Sequence, residues 1–111
     1  MATTKSTIDY LIDQLSSSNV RARAMFGEYA LYCQDKVVAL VCDDELFVKI
    51  TDAGKKFIGK YYEEGFAYPG AKPSMHISGD LCEDAKLISE LILITAKALP
   101  ESKPKKKLKN I

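Results

Sequence analysis

Apolar residues recur at helical spacing at both ends of the chain. The first set has the spacing i, i+3, i+4 and i+7 of one helical face: Ile8, Leu11, Ile12 and Leu15. Ser6 with Asp9 resembles a weak capping box that starts this helix, and the polar run 16–19 ends it. A second helix with a wide apolar stripe is predicted over about 83–99. The width of this stripe predicts that the helix packs on the sheet and also on a neighbouring subunit, which favours a homodimer.

Runs of β-forming residues between the two helices predict a β-meander. Residues 20–26 alternate small or apolar with basic residues, which predicts a strand whose wetted face carries Arg21 and Arg23. Three more runs follow, separated by short polar connections: 28–33, 37–42 and 46–50. Such short connections require antiparallel neighbours. The middle run contains no polar residue, as expected of a central strand covered on both faces by helices or by a partner subunit.

A third helix and a long loop are predicted after the meander. Apolar and aromatic residues at helical spacing, with Thr51 or Asp52 as a cap, predict a helix over 52–62. The turn formers that follow leave room only for short strands at 66–68 and 74–77. We expect a site, if there is one, in this loop region.

Composition places the chain among globular proteins. Hydrophobic residues make up 47% of it and charged residues 28%. The longest apolar stretch, 87–99, is broken by polar side chains and is shorter than the roughly 20 residues of a membrane span. The first residues lead directly into the amphipathic segment without the apolar region of a secretory signal. A cytoplasmic location without membrane contact is the expectation.

Charge marks a boundary near Pro100. Five of the 16 Lys and Arg and one of the 15 Asp and Glu lie in 101–111, which leaves 11 and 14 in 1–100. The net charges are therefore +4 for the last 11 residues and −3 for the rest. Pro100 and Pro104 oppose helix continuation. We predict one domain over 1–100, followed by a disordered Lys-rich tail over 101–111.

The tail is the one segment that by itself suggests nucleic acid. Its candidate phosphate contacts are five lysines: Lys103, Lys105, Lys106, Lys107 and Lys109. Polybasic segments bind phosphates without recognising sequence. A tail with no arginine and no aromatic residue is equally typical of a solubilising, disordered end.

No residue pattern indicates catalysis, a metal site or a cofactor. Cys33 and Cys42 flank a tight turn at positions that an antiparallel hairpin would hold more than about 10 Å apart, too far for a disulfide. With Cys82 they are interpreted as buried small apolar residues. The sole histidine, His76, has no sequence neighbour that would serve as its acid–base partner.

Several segments together carry a family resemblance. The corner Arg23, Met25, Phe26 and Gly27, the run 29–32 and the strand 46–49 resemble the N-terminal domain of the TfoX/Sxy family, and the similarity covers almost all of 7–99. That resemblance implies a two-layer α+β domain: an antiparallel sheet of about five strands, flanked by N-terminal, middle and C-terminal helices. In the family the corner commonly carries further glycines. Glu28 and Ala30 replace these glycines here, which argues against a function that needs backbone without side chains at these two positions.

The resemblance also implies a class of function. Family members that regulate natural competence act in bacterial transcription with the cyclic-AMP receptor protein, and they carry a second helical domain. For this chain it implies a standalone first domain, a non-enzymatic regulatory or interaction protein whose partner is a protein, with the transcription machinery as the specific expectation. Two alternatives remain: a dimeric chaperone-like module that holds a partner segment, and a small-ligand domain. A partner or ligand loop would include Tyr68, Gly70, Lys72 and His76.

Overall fold

The computed structural model describes residues 3–25 and 28–100. These residues form four helices, six strands and two short 3₁₀ turns, at Ser16–Ser18 and Gly59–Tyr61. The helices are α1 (Lys5–Gln14), α2 (Asp52–Ile58), α3 (Gly79–Cys82) and α4 (Ala85–Ala98). The strands are β1 (Arg21–Met25), β2 (Glu28–Cys33), β3 (Lys36–Cys42), β4 (Glu45–Val48), β5 (Glu64–Gly65) and β6 (Ser74–Ile77).

The strands form one antiparallel sheet in the order β1-β2-β3-β4-β6-β5. The predicted meander is confirmed as β1 to β4, and the two-residue strand β5 makes the sheet six-stranded. Two-residue turns join β2 to β3 and β3 to β4. Their residues all take left-handed φ values of 54° to 62°: Gln34, Asp35, Asp43 and Asp44. Left-handed backbone at both turn positions matches the right-handed twist of the flanking strands.

The helices and one face of the sheet share a single core. Leu11 of α1, Ile58 of α2, Cys82 of α3 and Leu91 of α4 belong to the same buried cluster as Leu31, Ala39, Val48 and Met75 of the sheet. Residues of the opposite face, including Ala30 and Phe47, are buried outside that cluster. The predicted two-layer α+β architecture is therefore confirmed.

Helix α1 begins earlier than predicted. Its N-cap is Thr4, whose side chain accepts a hydrogen bond from the Thr7 backbone N–H. Asp44, in the turn after β3, accepts hydrogen bonds from the Thr4 N–H at 2.8 Å and the Thr7 hydroxyl at 2.9 Å. These bonds lower the pKa of the Asp44 carboxyl. The predicted capping box at Ser6 and Asp9 is wrong because this distant carboxylate holds the helix start; Asp9 instead pairs with Lys5 at 3.1 Å.

Other predicted boundaries also change. The helix predicted over 52–62 ends at Ile58, where Gly59 takes a φ of +56° and a 3₁₀ turn follows. The strand predicted at 66–68 is wrong, since β6 pairs with Glu64–Gly65 instead and Phe66 is exposed. The stripe predicted over 83–99 lies mainly in α4, with Asp84 as its N-cap.

Strand β1 differs from its prediction in exposure. All five of its residues are exposed, whereas the alternating pattern predicted one wetted face only. The reason is its place at the edge of the sheet, where α1 covers it incompletely.

At the end of α4, Lys36 Nζ donates hydrogen bonds to the carbonyls of Ala96 at 2.7 Å and Leu99 at 3.0 Å. A cation at a helix C-terminus donates to carbonyls that have no partner within the helix. Its charge also interacts favourably with the negative end of the helix dipole. This contact fixes the last turn of α4 beside the start of β3.

Candidate functional site

The loop between β5 and β6 borders a cleft of about 570 Å³, which we call the Tyr68 cleft. Its apolar side is formed by Leu40, Ile50 and Leu99, and two lysines, Lys49 and Lys72, also line it. Tyr68 and Gly70 lie on its loop side, so three of the four predicted loop residues share one cleft.

A tight turn shapes this loop. The Ala71 N–H donates to the Tyr68 carbonyl at 3.0 Å, with Pro69 and Gly70 between them. Gly70 has a φ of +86°, as the third position of a type II turn requires. The Pro-Gly pair in the sequence therefore accounts for the turn, and Tyr68 at its start has an exposed fraction of 55%.

The fourth predicted loop residue, His76, does not line the Tyr68 cleft. Its Nε2 lies 2.6 Å from Glu45 Oε1, and its Nδ1 lies 3.3 Å from Glu63 Oε1. The ring faces Phe47 at a centroid distance of 5.3 Å. His76 therefore connects β6 to β4 and to the segment before β5.

Two residues of the family-motif corner, Arg23 and Met25, lie on the edge strand β1. Both are exposed, and Phe26 and Gly27 lie outside the described residues. Strands β2, β3 and β4 separate β1 from β6. The predicted corner and the predicted loop are thus two separate regions of the surface.

Strand register nevertheless connects these regions. Arg23 pairs with Ala30, Ala30 with Leu40, Leu40 with Phe47, and Phe47 with His76. Directly paired residues point to the same face of a sheet. These five residues form one line across five strands, on the face opposite the helices, and we call it the Leu40 row.

Charge and burial vary along the Leu40 row. Arg23 supplies a cation at one end, and Glu45 and Glu63 surround His76 at the other. Ala30 and Phe47 are buried, whereas Leu40 is half-buried and also lines the Tyr68 cleft. The half-buried residues Tyr32 and Val37 are paired with each other on the same face. An apolar centre with charged ends is the arrangement expected of a protein-binding surface.

The three cysteines are free and buried. Burial raises the pKa of Cys82 to about 11, and burial also raises the pKa of Cys33 and of Cys42. A high pKa suppresses the thiolate, the reactive form of cysteine. The predicted role of these residues as small apolar side chains agrees with their burial.

We expect the free energy of unfolding to decrease as the pH rises from about 9 to 11, because folded Cys82 keeps its proton while the unfolded thiol loses it. Below that range the Cys82 thiol is protonated in the folded and in the unfolded chain, so it contributes no pH dependence to the free energy of unfolding. Urea denaturation at a series of pH values measures it, and Cys82→Ala should flatten the slope. Equal slopes for both proteins would contradict the assignment.

Over residues 3–25 and 28–100, no three His, Cys, Asp or Glu side chains come together as a metal site would require. Nor is any helix in that part of the chain long and apolar enough to cross a membrane. The five candidate lysines of the tail, at 103–109, lie outside the described residues.

No pattern in the sequence indicates the Leu40 row or the carboxylates around His76. Leu40 belongs to the all-apolar run 37–42, which suggested cover on both faces. Glu45 was part of a turn, and Glu63 followed a predicted helix. No short motif connects these positions, because pairing of β3, β4 and β6 brings them together.

Comparison with known proteins agrees with the resemblance in the sequence. The family model described as the TfoX N-terminal domain matches residues 12–99. A protein of Spirochaeta aurantia, described as an uncharacterized 12.7 kDa protein in the trpE 5' region, is 43% identical over 107 residues. The alignment covers 96% of this chain and 91% of that protein. The match extends over α2, α4, the whole sheet and the Leu40 row, and the chain belongs to the TfoX N-terminal domain family.

Proposed function

We propose that this chain is a non-enzymatic regulatory domain that binds a protein partner through the Leu40 row. The observation that carries the proposal is the position of Leu40, which is half-buried at the centre of the sheet face opposite the helices. Because water still reaches its side chain, a partner that covers it would gain the free energy of apolar burial.

The form of this surface favours a protein partner. Ala30 and Phe47 are buried, so Leu40 is the accessible apolar centre of a row that crosses five strands and ends in charged side chains. Protein interfaces have this anatomy, whereas sites for small molecules are concave and enclose most of the ligand. The Tyr68 cleft adjoins the row at Leu40 and would extend the contact area.

We further propose that the partner belongs to the transcription machinery. Support for this step is the resemblance to competence regulators of the family, and fold similarity alone does not specify function. A second copy of the chain is another candidate partner. The α4 stripe no longer supports it, because Ile88, Leu91 and Ile92 are buried within the chain.

We expect Leu40→Glu to abolish regulation without unfolding the domain, because it places a charge at the centre of the proposed contact. In cells that lack the chain, transcript levels should change, and the unaltered chain should restore them while Leu40→Glu should not. Leu93→Glu is the matched control, since Leu93 is an exposed leucine on α4. Circular dichroism of both variants verifies folding. Restoration by a folded Leu40→Glu variant would disprove the use of this surface.

A further inference from the structure

Strand β1 forms one edge of the sheet, and each of its five residues is exposed. In the described part of the chain, β1 pairs with β2 on one side and with no strand on the other. The backbone N–H and C=O groups along such an edge can pair with a further strand.

The two faces of β1 differ in chemistry. Ala22 pairs with buried Leu31, so it lies on the helix side of the sheet. A groove of about 610 Å³ follows this edge of the sheet; Arg21, Arg23 and Tyr32 line it as well, and its apolar residues on the helix side are Ile12, Val20 and Ala22. A strand added at this edge would direct every second side chain toward these apolar residues.

The other face of β1 is cationic. Arg23 pairs with Ala30 and therefore belongs to the face opposite the helices, as does Arg21 two residues earlier. Arg21 contacts Asp35 at 3.2 Å, but their side chains are 71% and 89% exposed, and such exposed ion pairs contribute little. Within residues 3–25 and 28–100, Arg23 makes no salt bridge. An added strand would meet two arginines with its alternate side chains.

We propose that β1 binds an extended partner segment in which carboxylate residues alternate with apolar residues. The carboxylates pair with Arg21 and Arg23, and the apolar residues enter the groove beside Ala22. The inference rests on the proposed function, because both require a protein partner. A second copy of β1 is unsuitable over its full length, since antiparallel pairing would place Arg23 opposite Arg23 and like charges directly opposite are destabilising.

The test is a fluorescence anisotropy titration of the full chain with short blocked peptides of alternating valine and glutamate. We expect these peptides to bind more tightly than matched valine–lysine peptides. Arg23→Glu should weaken the valine–glutamate peptide by about fivefold, because the change removes a cross-strand charge pair and places like charges opposite each other. Lys86→Glu makes the same charge change at an exposed position of α4, away from β1, and should leave binding unchanged. Because all variants keep the Lys-rich tail, its contribution cancels in the comparison of Arg23→Glu with Lys86→Glu, and this comparison decides whether β1 is the site.

Three results would overturn the inference. The first is equal binding by Arg23→Glu and Lys86→Glu. The second is undiminished binding of a valine–glutamate peptide with a central proline, since proline removes a backbone donor. The third is self-association of the unaltered chain, in sedimentation, that Arg23→Glu weakens, which would assign the edge to a second copy. A failed peptide titration together with loss of regulation in Leu40→Glu would reject the edge site and leave the proposed function intact.

Discussion

Replacing Leu91 by alanine should lower the free energy of unfolding by about 2–5 kcal/mol, the range for deleting a fully buried leucine side chain. Leu91 has an exposed fraction of 0% and lies in α4 at the centre of the core. Its Cδ1 would lie 3.4 Å from a Cβ added to Gly54, so α2 packs closely on α4 at this position. The cavity left by the substitution would be bordered by two helices and the sheet, which limits collapse.

Urea denaturation followed by circular dichroism measures this loss. In a domain of this size, each kcal/mol corresponds to about 4–8 °C in melting temperature. Leu93→Ala is the control, because Leu93 lies on the same helix with 38% of its surface exposed and should change stability by well under half as much. Similar losses for the two variants would show that burial in the core does not determine the effect, since alanine is the stronger helix former at both positions.

Gly54→Leu should destabilise the domain by about 1–3 kcal/mol through overpacking. A Cβ at Gly54 would lie 2.9 Å from Thr51 Oγ1 and 3.3 Å from Met75 Cε. Thr51 Oγ1 accepts a hydrogen bond from the Gly54 N–H and caps α2, so the larger side chain also disturbs the start of the helix. The gain of about 1 kcal/mol from replacing a helical glycine offsets part of this cost.

Gly79→Ala provides the comparison for this variant. A Cβ at Gly79 meets no atom within 4 Å, so we expect a small stabilisation of up to about 1 kcal/mol from the reduced entropy of the unfolded chain. In thermal denaturation, the melting temperature should fall for Gly54→Leu and rise slightly for Gly79→Ala, relative to the unaltered chain. A stabilised Gly54→Leu variant would mean that α2 moves away from α4 without cost.

The hydrophobic pattern was sufficient to predict most of the fold because the elements are locally consistent. Runs of β-forming residues with short polar connections predict β2 to β4, alternation predicts β1, and helical spacing predicts α1 and most of α4. The errors occur where a distant residue decides the structure. Asp44 moves the start of α1 to Thr4, and β6 selects Glu64 and Gly65 as its partner over residues 66–68.

The candidate site was predictable only in fragments. The sequence indicates Arg23 as part of a motif and His76 as the sole histidine. They occupy the two ends of one row because four strand pairings align them. Register depends on the assembled sheet, so sequence spacing alone could not connect residues that are 53 positions apart.

The two left-handed turns at Gln34–Asp35 and Asp43–Asp44 also influence the order of folding. They close hairpins whose partners are near in sequence, and the entropy lost on loop closure increases with loop length. Strands β4 and β6 are instead separated along the chain by α2, β5 and a long loop, so their pairing closes a longer loop. Local contacts form faster than distant ones. We therefore expect the hairpins to form before β6 pairs with β4. His76 lies on β6, so it would be the last residue of the Leu40 row to reach its native position.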